Sequence, residues 1–138
     1  MTENMEEIRQ RKLAELRDRA ELEQRTETGT STPSTPVPIS AQSDLTDTVD
    51  EHDVVLVDFY ADWCGPCQML EPVVETIAAE TAATVAKVDV DANQQLASAY
   101  GVRGVPTLIL FVDGEQVEEL VGVQREEQLR TLVASYTN

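Results

Sequence analysis

Sulfur, aromatic rings and positive charge are scarce in this chain of 138 residues. It contains two cysteines, one tryptophan and one histidine, and it has ten basic residues against 26 acidic ones. No apolar run approaches the roughly 18 residues that a membrane-spanning helix needs. The first residues, MTENMEEIRQRK, are charged and lack the apolar stretch of a secretion signal. We therefore expect a protein of the cytoplasm, where thiols normally stay reduced, with no membrane contact and one domain plus an appendage.

Negative charge is concentrated in the C-terminal part of the chain. Residues 41–138 carry four basic and 18 acidic side chains, and the whole chain has a formal charge of −16 and only two lysines. Such self-repulsion destabilises a compact state at low ionic strength, whereas a Debye length of about 3 Å at molar salt removes most of the penalty. The composition predicts a halophilic archaeon as the source, with an ordinary acidic protein as the alternative. The same charge argues against nucleic-acid binding by this part, because phosphate attracts the opposite sign.

Residues 1–25 have a pattern that predicts a charged helix. Acidic residues precede basic ones by four positions, the favourable order on a helix, at Glu7–Arg11, Glu15–Arg19 and Glu21–Arg25. Three interpretations stay open: a solvated helix, a helix that docks a partner or a second copy, and a helix that touches nucleic acid. The third arises because six of the ten basic residues lie here. Residues 26–38, TETGTSTPSTPVP, are rich in Pro, Ser and Thr and predict a flexible linker.

Residues 39–138 have the pattern of an α/β domain. Apolar and β-branched runs predict strands at VVLVDFY and TVAKVDVD. The segment PTLILFVDGEQVEELVG predicts a hairpin that turns at Asp113-Gly114. Helices are predicted at DLTDTVDEHD, CGPCQMLEPVVETIAAE, NQQLASAYG and QREEQLRTLVASY. This order predicts a central mixed sheet with helices on both faces.

The two cysteines, Cys64 and Cys67, lie three positions apart beside the single tryptophan, and three roles compete for them. A structural disulfide is the weakest, because closing so short a loop removes little entropy from the unfolded chain. Structural zinc usually needs four Cys or His ligands, and the chain adds only His52, which precedes the strand. Zinc would therefore have to be shared between two chains. The third role, a redox pair, also explains the residues that surround the two cysteines.

The expected helix start favours a reactive thiolate at Cys64. This residue falls where the strand ends and the helix begins, so the free N–H groups of the first helical turn point toward its sulfur. Pro66 has no N–H to lose in that turn. Cys67 lies one turn further on, close enough to attack a mixed disulfide formed at Cys64.

Asp58 interrupts an otherwise apolar strand six residues before Cys64. A buried carboxylate is costly unless it is protonated, paired or useful. Burial also raises a carboxyl pKa into the range of a proton acceptor for the Cys67 thiol. We predict a catalytic role for Asp58, with a purely structural buried aspartate as the alternative. Lys87, on the adjacent predicted strand, is its expected charge partner.

The segments VDFYADWCGPC and GVRGVPTLILFVDGE together resemble the thioredoxin family, over about residues 39–138. The resemblance implies a thioredoxin fold and a dithiol–disulfide oxidoreductase that reduces protein disulfides. It makes Cys64 the exposed nucleophile, Cys67 the resolving thiol and Asp58 the buried carboxylate. The substrate-docking surface implied by the family comprises Trp63, Gly65, Pro66, Gly104, Val105, Pro106 and Gly122. Within it Pro106 would be cis, and the backbone around Val105 would pair with an extended substrate segment.

Two residues depart from the family pattern. Tyr60 stands where tryptophan is frequent, and Gln68 follows the second cysteine where lysine is common. No GxGxxG fingerprint of a flavin or nicotinamide enzyme is present, so we expect no bound cofactor and a separate thioredoxin reductase as partner. Two other functions stay open: a binding module whose thiols act as a sensor, and an oxidant or isomerase that forms disulfides.

Overall fold

The structure is a computed structural model and describes residues 32–137. The predicted N-terminal helix and the first part of the predicted linker lie outside the described residues. The elements of residues 32–137 are, in order, β1 (Val37–Ile39), α1 (Gln42–Glu51), β2 (Val54–Tyr60), α2 (Gly65–Glu80), β3 (Thr84–Asp89), α3 (Gln94–Ala99), β4 (Thr107–Val112), β5 (Glu115–Val121) and α4 (Glu126–Ala134). All the helices and strands that the sequence predicts in this range are present. None of these four helices is long and apolar enough to cross a membrane.

The five strands form one mixed sheet in the order β1-β3-β2-β4-β5. Strand β3 pairs in parallel with both β1 and β2, whereas β2–β4 and β4–β5 are antiparallel. Strand β2 therefore lies at the centre of the sheet, with a parallel neighbour on one side and an antiparallel neighbour on the other. The predicted mixed sheet is confirmed.

The sheet separates two apolar layers, because successive side chains of a strand point to opposite faces. Val55 and Phe59 of β2 pack in one layer with α1 and α3. Val54 and Leu56 pack in the other layer with α2 and α4. The next residue of this second set is Asp58, so the alternation that buries the core also directs the carboxylate toward the helix that begins after Cys64.

Strand β1 lies at one edge of the sheet, where the sequence predicts the end of a linker. Val37 pairs with Ala86 of β3, and Ile39 is buried in the layer with α1. Pro38 is tolerated because an edge strand needs no donor on its free side. Residues 37 and 38 therefore belong to the sheet. Three residues that include a proline have no strand pattern of their own, and pairing with β3 makes them a strand.

The hairpin between β4 and β5 turns at the predicted dipeptide. Asp113 and Gly114 both have positive φ, 52° and 83°, which the two-residue hairpin turn of type I′ requires. Gly114 adopts this conformation without steric cost. The register then shifts by one residue between Leu110 and Phe111, so that Val121, the last residue of β5, lies opposite Thr107, the first residue of β4.

Removing β1 should weaken the fold. A chain that begins at Ile39 lacks the pairing of Val37 with Ala86 and the contact of Val37 with the apolar layer under α1. Relative to a chain that begins at Thr32, we expect the free energy of unfolding to fall by about 1–3 kcal/mol. Urea titration of both chains in molar KCl measures the difference. Equal stability of the two chains would contradict a structural role for β1.

Candidate active site

The two cysteines lie at the N-terminus of α2, and Cys64 is the residue that precedes its first turn. They are joined by a disulfide, with their Cα atoms 5.2 Å apart. The backbone N–H of Cys67 donates a hydrogen bond to Sγ of Cys64 over 3.1 Å, and Pro66 occupies the first turn without an N–H of its own. The prediction that an N–H of the first turn points at Cys64 is confirmed. Such a donor favours negative charge on that sulfur.

In this disulfide form Cys64 is not the more exposed cysteine, contrary to the expectation from the family resemblance. The exposed fractions are 3% for Cys64 and 4% for Cys67. The disulfide turns the two sulfurs toward each other, and Val105 packs against the cluster that they form with Ala61. Accessibility therefore does not distinguish the two cysteines here, whereas the hydrogen bond at the helix N-terminus does.

Asp58 is buried in the middle of the sheet, with 1% of its side chain exposed. It is directly opposite Lys87 in the parallel pairing of β2 with β3, and Nζ of Lys87 lies 3.3 Å from its Oδ2. Neither carboxylate oxygen of Asp58 has a well-aligned hydrogen-bond donor within residues 32–137. Lys87 is thus the predicted charge partner, but it acts through an ion pair and not through an ordered hydrogen bond.

The Lys87 ammonium has two further partners. It donates a hydrogen bond to Oε2 of Glu71 on α2, and it lies 4.2 Å from the ring centroid of Tyr60, in reach of a cation–π interaction. Tyr60, one of the two departures from the family pattern, thus lies beside the Lys87–Asp58 pair. The contact of Glu71 with Lys87 was not predicted. A signal for it exists in the sequence, because Glu71 follows Cys67 by four positions and so lies on the same face of the helix.

The environment of Asp58 makes this carboxyl a weaker acid than an exposed aspartate. Burial raises the pKa of Asp58 to about 6, the charge of Lys87 and its direct approach to the carboxylate lower it, and the charge of Glu71, the smallest of these effects, raises it. Desolvation opposes the charge of Lys87, but the hydrogen bond to Glu71 and the charge of Asp58 outweigh it, so the pKa of the ammonium is raised. Lys87 therefore stays charged at neutral pH, while Asp58 can take up and release a proton close to neutral pH.

A surface groove of about 620 Å³ reaches this charged group beside Cys67. Its walls combine residues from the start of the described chain with residues of α2 and β3, among them Pro36, Pro38, Cys67, Glu71, Glu75 and Lys87. Solvent in the groove therefore contacts both the second cysteine and the ammonium that pairs with Asp58.

The loop before β4 contains the predicted cis proline. The Val105–Pro106 peptide bond is cis, and the carbonyl oxygen of Pro106 accepts a hydrogen bond from the N–H of Gly122 over 2.9 Å. Gly122 has a φ of 92°, a conformation that favours glycine. The structure thus brings Val105, Pro106 and Gly122 together, and Val105 connects them to the cysteines.

Trp63, immediately before Cys64, is largely exposed. Its indole Nε1–H donates to Oδ2 of Asp91 over 2.8 Å, so the orientation of the ring is fixed by the loop after β3. Val121 is also exposed, at the end of β5 next to Gly122. The sequence did not identify Asp91 or Val121, because their positions near the site depend on packing and on the register of the hairpin.

The described chain offers no alternative centre built on metal ligands. No group of three or more His, Cys, Asp or Glu side chains in residues 32–137 is arranged to hold a metal ion. His52 follows the last residue of α1, as expected for a residue outside the site.

The thioredoxin family model matches residues 37–135. The chain belongs to the thioredoxin family. Thioredoxin from Chlamydia muridarum is 45% identical over 101 residues, which cover 72% of this chain and 98% of that protein. Thioredoxin from Mycobacterium tuberculosis is 46% identical over 98 residues, which cover 70% of this chain and 84% of that protein. Membership of the thioredoxin family and the Cys64–Cys67 pair make this chain a dithiol–disulfide oxidoreductase.

Solved structures give the same result. A mutant thioredoxin from Halobacterium salinarum is 65% identical, with a TM-score of 0.77, and the match covers 80% of this chain and 97% of that one. Thioredoxin from Fasciola hepatica is 35% identical, with a TM-score of 0.68, and the match covers 73% of this chain and 99% of that one. The predicted thioredoxin fold is confirmed, and the similarity to the Halobacterium protein supports the predicted origin of this acidic chain in a halophilic archaeon.

Asp58→Asn should stabilise the fold at neutral pH. The pKa of Asp58 is raised from 3.8 to about 6 on folding, so the folded state binds this proton more tightly than the unfolded state. Stability therefore falls as the pH rises through that window. Above it the full cost of ionising the buried carboxyl, roughly 3 kcal/mol, is present, and the neutral amide removes it.

Urea unfolding of both oxidised proteins between about pH 4 and pH 8 tests this dependence. We expect the stability advantage of the asparagine variant to grow as the pH increases and to level off above neutrality. A stability advantage that does not change with pH, or no advantage at all, would show that ionisation of Asp58 does not destabilise the fold.

Proposed function

We propose that this chain reduces disulfide bonds in proteins, with Cys64 as the attacking sulfur. The Cys64 thiolate attacks one sulfur of a substrate disulfide, so that a mixed disulfide forms and one substrate thiolate leaves and takes up a proton. Cys67 then loses its proton and attacks Sγ of Cys64. This step forms the Cys64–Cys67 disulfide and releases the second substrate thiol, so that two electrons pass from the enzyme to the substrate.

The hydrogen bond from the Cys67 N–H to Cys64 carries this assignment. A thiolate at Cys64 gains this donor and the partial positive charge of the α2 N-terminus, both of which favour its formation near neutral pH. Cys67 lies within α2 and has no such position. The order of attack therefore follows from which sulfur the helix N-terminus faces.

Asp58 is the proposed acceptor of the Cys67 proton. Its pKa of about 6 lies near the working pH, which is the range in which a general base is most effective. It lies on the face of β2 that is covered by α2, the helix that carries Cys67. A carboxylate this deeply buried and without an ordered hydrogen bond is costly, which supports a role beyond structure.

The substrate is proposed to dock as an extended segment along the surface beside the disulfide. Trp63 and Val121 supply exposed apolar area there, and the backbone near Val105 would pair with the segment as an added strand. A Cβ at Gly65 or Gly104 would meet no atom within 4 Å. The room beside these glycines supports close approach by a substrate backbone.

Membership of the thioredoxin family implies disulfide-containing protein substrates and a thioredoxin reductase as the partner that restores the dithiol. We propose the cytoplasm as the location and no bound cofactor or metal, because the two cysteines alone store the two electrons. An oxidant or isomerase would use the same chemistry in the other direction. The reduction potential of the pair distinguishes the directions, since a value near that of reducing thioredoxins, about −270 mV, supports reduction.

Serine variants should separate the two cysteine roles. Cys64→Ser and Cys67→Ser should each abolish the catalytic acceleration of insulin reduction by dithiothreitol in molar KCl, because the cycle needs both sulfurs. After removal of dithiothreitol, only the reduced Cys67→Ser variant should accumulate a mixed disulfide with insulin, detected by mass spectrometry, because its attacking thiol is intact and its resolving thiol is absent. Trapping by Cys64→Ser instead would reverse the assignment.

A charge placed on the docking surface should impair protein substrates selectively. Val121→Asp should raise the KM for insulin by about fivefold or more, which corresponds to the loss of roughly 1 kcal/mol from an apolar contact. Reduction of dipyridyl disulfide, which is too small to use this surface, should be unchanged. Gln116→Asp is the matched control, because it adds the same charge to an exposed position near the other end of β5. Equal effects of both variants would attribute the loss to net charge and not to docking.

A further inference from the structure

One ammonium lies between two carboxylates beneath the cysteines. Lys87 hydrogen-bonds to Glu71, whereas its Nζ lies 3.3 Å from Asp58 without a well-aligned hydrogen bond. The two acids differ in solvent access, with 43% of the Glu71 side chain exposed against 1% for Asp58. The better-solvated carboxylate thus forms the hydrogen bond with the cation, although burial makes the other carboxylate the more costly one to leave without a hydrogen bond.

Two fixed elements create this arrangement. Lys87 is opposite Asp58 because of the register of β2 and β3. Glu71 lies on α2, four residues after Cys67 and therefore on the same helical face. Helix α2 therefore carries both Cys67 and Glu71, the acid that competes with Asp58 for the Lys87 ammonium.

We propose that Glu71 is a positioning residue that draws the Lys87 ammonium away from Asp58 and so keeps the Asp58 carboxyl able to accept a proton. This proposal rests on the proton-acceptor role of Asp58 given above. Without Glu71, the ammonium would be free to pair fully with Asp58, which would stabilise the ionised carboxylate and make it a weaker base. The negative charge of Glu71 acts in the same direction, because it opposes ionisation of Asp58.

The other groups around the pair do not provide this effect. Asp62, Glu75 and Tyr60 also line the groove, but the ion pairs of Lys87 within residues 32–137 are with Asp58 and Glu71. On the remaining side, the β4 residue opposite Asp58 is the apolar Leu108. Glu75, one turn after Glu71 on the same helix and in the same groove, is therefore a suitable control for the loss of one negative charge.

The titration of Asp58 measures the proposed effect directly. Carboxyl carbon NMR on protein labelled at aspartate gives its pKa in the oxidised form, in which neither cysteine titrates. In Glu71→Gln we expect this pKa to move downward by roughly half a pH unit or more, and in Glu75→Gln by clearly less. An unchanged or higher value in Glu71→Gln, or an equal shift in both variants, overturns the proposal.

A double-mutant cycle isolates the part that acts through Lys87. In a Lys87→Gln background, Glu71→Gln should shift the Asp58 pKa by less than it does in the parent protein, because the ammonium for which the two acids compete is gone. In Glu71→Asp, the Asp58 pKa should lie between its values in the parent protein and in Glu71→Gln. This variant is also a milder change if Glu71→Gln folds poorly. A shift of full size without Lys87 overturns the positioning role.

Kinetics then separate this proposal from the function on which it rests. The resolving step can be followed at single turnover from the mixed disulfide, and its pH midpoint should move downward with the Asp58 pKa in Glu71→Gln. If NMR shows the shift but the pH midpoint of the resolving step stays in place, the proton-acceptor role of Asp58 is refuted, while the effect of Glu71 on Asp58 is supported. If neither the Asp58 pKa nor the pH midpoint of the resolving step moves in Glu71→Gln, the role of Glu71 is refuted and the proton-acceptor role of Asp58 is not affected.

Discussion

The candidate site is built around a carboxylate, Asp58, that is buried in the central strand of the sheet. Burying a charge in an apolar environment costs several kcal/mol unless partners compensate, and the compensation at Asp58 is incomplete, with one ion pair at 3.3 Å and no well-aligned donor in residues 32–137. The apolar layers on both faces of the sheet provide the stability that tolerates this cost. The surroundings of the carboxyl then set its pKa. It is covered by α2, the helix that begins after Cys64.

Most of the fold could be predicted from the sequence because its elements carry strong local patterns. The apolar run of β2, the Asp113-Gly114 turn and the helix that begins after Cys64 each follow from rules that involve only neighbouring residues. Strand β1 could not, because its three residues become a strand only by pairing with a segment almost 50 residues away in the chain. Its Pro and Thr surroundings indicated a linker instead.

The candidate site shows the same division between local and long-range information. Asp58, Lys87 and the cysteines were identified because a polar residue in an apolar strand and a pair of thiols at a helix start are local signals. The roles of Glu71 and Asp91 depend on contacts between distant elements, with Lys87 and Trp63 respectively. The nearly equal burial of the two cysteines depends on the disulfide between them. The family resemblance supplied the cis proline and Gly122, for which the residues alone offered no argument.

The cations that form ion pairs in residues 32–137 are each shared by two carboxylates. Every ion pair in residues 32–137 uses Lys87 or Arg130, and each of the two contacts two carboxylates, with Glu80 and Glu126 around Arg130. The pairs of Arg130 are exposed, so salt screens them and they contribute little to stability. At Lys87 one of the two carboxylates is buried and therefore screened much less. At this buried position two carboxylates therefore compete for one ammonium, and we propose that this competition tunes Asp58 as a proton acceptor.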